Sequence, residues 1–143
     1  TFLIAIPVPS TSAYVNIGDS VVYCAGILVG APWAAAAAGI GSMLADWAVG
    51  VPIYMPATLI IKAIMGFVCA KIAKNGKLPR FILGCVTGGA IMVIGYGAYE
   101  VFFMNGWGYA TATVVGNLIQ WAGGVAGAIA LYYPIKRVKD VIG

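Results

Sequence analysis

The sequence KIAKNGKLPR (71–80), followed much later by KRVK (136–139), decides the fold, because almost everything between the two is apolar. Lys71, Lys74, Lys77 and Arg80 form one basic cluster, and Lys136, Arg137 and Lys139 form the other. Seven of the eight Lys and Arg residues are therefore in two short clusters, and the run from Phe81 to Tyr133 between them carries one charge, Glu100. That run of about 50 residues holds two membrane-spanning helices of about 20 residues each. Two crossings return the chain to the side it left, so both clusters face one side, and the excess of basic residues makes that side the cytoplasm.

The whole chain reads the same way. It is 62% hydrophobic and 8% charged, with a mean hydropathy of +0.99, whereas a soluble domain carries about 25% charged residues. Its 143 residues make one domain, 1–143. The net charge of +4 is not a nucleic-acid footprint, because the basic residues sit at helix ends and form no stripe with interleaved aromatics. Cys24, Cys69 and Cys85 fall inside apolar segments without paired spacing, and the chain has no His, so they read as small buried side chains and not as a zinc site. No P-loop, metal motif or His-based proton relay is present, so no cofactor and no catalytic site is expected. Thr1–Ile6 lacks the basic start and cleavage site of a signal peptide. It reads as the remnant of a first helix whose beginning is missing.

Prolines and glycines divide the rest. Pro7, Pro9, Ser10, Thr11 and Ser12 form a polar loop. Helical segments are expected at 17–30, 33–49, 57–73, 81–104 and 109–133. Asn16 would cap the first of these, with Asp19 three residues on as part of the cap at the outer side, and Pro134 would close the last. With the remnant restored, this is an all-α bundle of six transmembrane helices, in which 17–30, 33–49 and 57–73 are short for spanning elements. Loops 7–16, 51–56 and 105–108 are then external. Gly26/Gly30, Gly84/Gly88, Gly123/Gly127 and the run Ala34–Ala38 supply small faces that let helices approach closely in lipid, either within the bundle or against another membrane protein. No internal repeat is visible.

This topology gives each polar residue a depth, and all those able to bind a solute fall in the outer half. Asp46 and Lys62 sit at similar distances from the turn between their helices and would form an ion pair or contact a ligand. Glu100 has no evident fixed partner other than Lys62 and would face a solute or a wet pocket, since charges in a membrane are costly. Tyr96 shares its helix face, and Asn117 and Gln120 share another. Asn117 and Gln120 would either bridge helices or bind the solute. Tyr54, Trp107 and Tyr109 would belong to the outer aromatic belt or form stacking walls for a flat ring. The result is a half-pocket open outward and closed inward, with no means of its own to spend energy.

Three stretches, Asn16-Ile17-Gly18-Asp19, GIGSMLAD (39–46) and PATLIIKAIMG (56–66), together with Gly95-Tyr96 through Glu100 and Gly116-Asn117 through Gln120, resemble the substrate-binding S components of energy-coupling factor (ECF) transporters. The resemblance implies a six-helix vitamin-capture subunit in a bacterial cell membrane. Its partners would be a transmembrane coupling (T) subunit and two cytoplasmic ATPases. It also implies an outward pocket to which Asn16 contributes, with the loop Pro7–Val15 as a lid. Among possible substrates it points to hydroxymethylpyrimidine-type thiamine precursors, pyridoxine or riboflavin, with the first two favoured. The alternative from another class is a stand-alone small-solute carrier or channel, or a structural membrane protein.

Overall fold

The computed structural model describes residues 5–7, 14–16, 18–104 and 106–142. Two short strands, β1 (Ala5–Pro7) and β2 (Tyr14–Asn16), pair antiparallel with Ala5 opposite Asn16. Five α-helices follow among the described residues: α1 (Gly18–Val29), α2 (Ala31–Ala48), α3 (Met55–Ile72), α4 (Leu78–Phe103) and α5 (Trp107–Ile142). The expected helical remnant at Thr1–Ile6 is corrected where it is described, since Ala5–Pro7 is extended and paired. Pro7 has no N–H to give and sits at the end of its strand, where sheets tolerate proline.

The helix starts follow from proline chemistry. Pro32, Pro56 and Pro79 each lie in the first turn of their helix, where the missing N–H costs nothing and the fixed φ is already helical. The break expected between the segments 17–30 and 33–49 therefore falls at Gly30 alone, whose φ of 79° reverses the chain. The last expected boundary also moves. Helix α5 runs through Pro134 to residue 142. Tyr132 anchors it there, donating a hydrogen bond to the Gly76 carbonyl at 2.5 Å and packing on Phe81 with ring centroids 5.2 Å apart. These contacts bring both basic clusters to one end of the bundle.

Helix α3 is central, with α1, α2 and α4 packed around it, and α5 closes the bundle against α1 and α4. Small residues make the closest contacts possible. A Cβ on Gly26 would come within 2.6 Å of the Ala70 Cβ, and one on Gly39 within 2.7 Å of the Leu59 carbonyl oxygen. Gly66 lies against Ala34 and Ala38, and Gly84 against Cys69. The glycine faces thus serve packing within the bundle. Gly30 instead forms the turn, and Gly123 is exposed.

The segments 52–75, 78–103 and 113–141 are long and apolar enough to cross a membrane. Their outward side chains are apolar too, among them Ile60, Ile94 and Phe102. The core, by contrast, holds Asp19, Lys62 and Glu100 beside Tyr23, Met65 and Phe81. Large apolar groups outside and charges inside are what a lipid solvent selects.

Candidate functional site

Spacing along α3 and α4 builds the polar interior. Tyr54, which precedes α3, then Thr58 and Lys62 recur every four residues and share one face. Met92, Tyr96 and Glu100 do the same on α4, which runs the opposite way. The two faces meet as a ladder of three rungs. At the first, Tyr54 Oη donates to Glu100 Oε1 at 2.9 Å, and Thr113 of α5 donates to Glu100 Oε2. At the second, the hydroxyls of Thr58 and Tyr96 lie 2.9 Å apart. At the third, Lys62 Nζ meets Asp19 Oδ1 at 2.5 Å and Met92 Sδ at 3.1 Å. Gln120 Nε2 donates to the other oxygen of Asp19 at 2.7 Å. The Lys62 ammonium also lies 5.9 Å from the centre of the Tyr96 ring, which links the second and third rungs.

The partner of Lys62 is thus Asp19, and the expected Asp46–Lys62 pair is corrected. Asp46 is two residues from the end of α2 while Lys62 is seven into α3. At about 1.5 Å per residue this leaves them about 7 Å apart in depth. The reading of Asp19 as a cap at the outer surface is corrected for the same reason. The contact of Asp19 with Lys62, seven residues into α3, puts the first turn of the 12-residue α1 inside the bundle at the level of Lys62. The pair is enclosed, with Asp19 fully buried and Lys62 4% exposed. A carboxylate in the first turn of a helix also gains from the positive end of the helix dipole.

Glu100 is 2% exposed, and its hydrogen-bond partners among the described residues are neutral hydroxyls. An ionised carboxylate offers about four acceptor positions, so two donors leave capacity for a third. Aromatic rings crowd this end. Tyr54 lies 6.1 Å from Tyr96 and 5.9 Å from Tyr99, and Tyr99 donates to the Ile53 carbonyl at 2.6 Å.

The ladder brings together Glu100, Tyr96, Tyr54, Lys62 and Gln120 from the sequence reading. It leaves others apart. Asn117 does not join Gln120 on the ladder. It lines an apolar cleft of about 390 Å³ between α4 and α5, with Val93, Gly97, Val101 and Trp107. Trp107 is exposed at the mouth of that cleft, and Asp46 is buried on α2 one turn from Ser42. The side chains of Asn16 and Tyr109 lie outside the described residues, as does most of the loop Pro7–Val15. Sequence reasoning missed Thr58, Met92 and Thr113. The four-residue spacing of Tyr54-Thr58-Lys62 and Met92-Tyr96-Glu100 was the available signal for the first two.

A helical membrane bundle with a buried polar ladder defines the class as an integral membrane protein built around a polar site. Comparison with known proteins gives the family. Residues 1–137 match the family model described as ECF-type riboflavin transporter, S component, and the chain belongs to the S components of ECF transporters. These are substrate-binding subunits of vitamin-type transporters. The chain is also 33% identical over 138 residues to a Pyrococcus woesei protein described as "Uncharacterized protein in gap 3'region", covering 96% of this chain and 92% of that one.

Proposed function

We propose that this S component captures a small, flat, heteroaromatic vitamin at the Glu100 end of the ladder and passes it to a transmembrane coupling subunit driven by two ATPases. The observation that carries the reading is the Glu100 carboxylate, buried among neutral hydroxyls beside three tyrosine rings. Such a group accepts a hydrogen bond from a ring N–H, and the rings stack on the face. Of the three substrates suggested by the sequence, riboflavin now ranks above hydroxymethylpyrimidine and pyridoxine, because the matching family model carries its name and its tricyclic ring has an N–H flanked by carbonyls. Tyr54, Tyr96 and Glu100 would contact the ring, with Trp107 and Asn117 at the margin between α4 and α5 and Tyr109 as a further contact. Asn16 and Asp46 would contribute from the side of β2 and α2. Lys62 and Gln120 form the floor with Asp19. The single membrane domain lies in the cell membrane with both basic clusters in the cytoplasm and the Glu100 end outside.

The test is ligand binding by the purified protein in detergent, first by identifying the small molecule that co-purifies, then by titration with riboflavin, pyridoxine and hydroxymethylpyrimidine. Losing a desolvated contact to a charged group costs about 1.5–3 kcal/mol. Glu100→Gln should therefore weaken binding about tenfold or more, with thermal stability close to the parent. Parental affinity in both Glu100→Gln and Glu100→Ala would place the site elsewhere.

A further inference from the structure

The structure gathers the two basic clusters into a single patch. Tyr132 joins them, holding the Gly76 carbonyl of the first loop at 2.5 Å while Lys136 lies 6.0 Å from its ring. Among the described residues no carboxylate forms an ion pair with any of these cations, since the one such pair found is Lys62 with Asp19. The first cluster spans the junction between the apolar segments 52–75 and 78–103, and the second lies at the end of the segment 113–141. The Lys71 ammonium lies 5.4 Å from the centre of the exposed Phe67 ring, so this cluster begins directly beside apolar surface. Helix α5, at 36 residues, is about 54 Å long against a hydrocarbon core of about 30 Å, so its last turns enter the headgroup layer. There it exposes Val138 and Val141 beside Arg137 and Lys139. Exposed valines among cations suit the boundary between headgroups and acyl chains, and they would be costly in water.

We infer that this patch is a binding surface for anionic phospholipids, whose phosphates pair with the two clusters while Val138 and Val141 rest on the acyl region. The inference rests on the membrane reading but not on which side the patch faces, because either leaflet can supply such a lipid. Its orientation is tested separately by cysteine labelling.

The experiment uses the intact protein, delipidated and re-equilibrated in micelles containing equal amounts of phosphatidylglycerol and phosphatidylcholine, with bound lipids counted by native mass spectrometry. Each basic residue near an anionic surface contributes about fivefold. The parent should retain phosphatidylglycerol at least about tenfold over phosphatidylcholine. Neutralising exposed residues of both clusters together, Lys74→Gln, Lys77→Gln, Arg137→Gln and Lys139→Gln, should abolish most of that preference while leaving thermal stability unchanged. Raising salt to 1 M shortens the screening length to about 3 Å and should erode the preference in the parent, which needs no variant. Equal retention of the two lipids by the parent would overturn the inference, and so would a preference that survives the four substitutions. Displacement by inorganic phosphate at constant ionic strength would overturn it in favour of a soluble anion. No lipid preference, with loss of assembly with the coupling and ATPase subunits in the variant, would assign the patch to a protein partner instead.

Discussion

Lys62→Met tests the deepest rung of the ladder. The substitution keeps an unbranched apolar stem but removes the ammonium 2.5 Å from Asp19. Asp19 is fully buried and would keep Gln120 as its side-chain donor, at 2.7 Å. Removing one partner of a buried pair costs about 3–5 kcal/mol, because the remaining charge is left uncompensated. Asp19→Asn should cost a similar amount, now stranding the ammonium beside a thioether and an aromatic ring. The double variant carries no charge there, and buried pairs replaced by neutral groups of similar volume are often near neutral in stability. The double variant should thus lie within about 2 kcal/mol of the parent, where simple addition would give a loss of about 6–10. Unfolding free energies from denaturant titration in mixed micelles supply the four corners of the cycle. Losses that add within about 0.5 kcal/mol would refute the pairing. The same cycle on Asp46 and Lys62 should be additive, given their difference in depth.

Three further outcomes follow from the packing, the topology and the family. Gly26→Ala should destabilise by about 1–3 kcal/mol through overpacking against α3, whereas Gly97→Ala, whose new Cβ meets nothing within 4 Å, should change stability little; thermal unfolding separates them. Cysteine placed at Asn105 should react with an impermeant reagent from outside, and cysteine at Asn75 only after the membrane is opened; Cys24, Cys69 and Cys85 are buried and keep the background low, and the opposite labelling pattern would reverse the orientation. In liposomes the isolated chain should bind its vitamin without concentrating it, and accumulation driven by an ion gradient would favour a stand-alone carrier.

Much of this protein was readable along the chain. Hydropathy and the two basic clusters defined a membrane bundle, and the helix limits fell within a few residues of the expected ones, because both depend on local composition and on where prolines stand. Pro134 was the failure: the contacts of Tyr132 with Gly76 and Phe81, from residues over fifty positions away, carry α5 past it. The site divides in the same way. Glu100, Tyr96 and Tyr54 were legible as costly or amphipathic groups toward one common end of their helices. The partner of Lys62 was not, because depth is counted from where each helix ends or starts, and Asp46 is two residues from the end of α2 while Lys62 is seven into α3. Helix α1 starts short of the Glu100 end of the bundle, and that brings Asp19 to Lys62 and Gln120. Sequence alone determined which residues had to be shielded from lipid. The tertiary structure decided which of them shield one another, since that depends on how deep each helix starts and how it is rotated, and both are set by contacts with other helices.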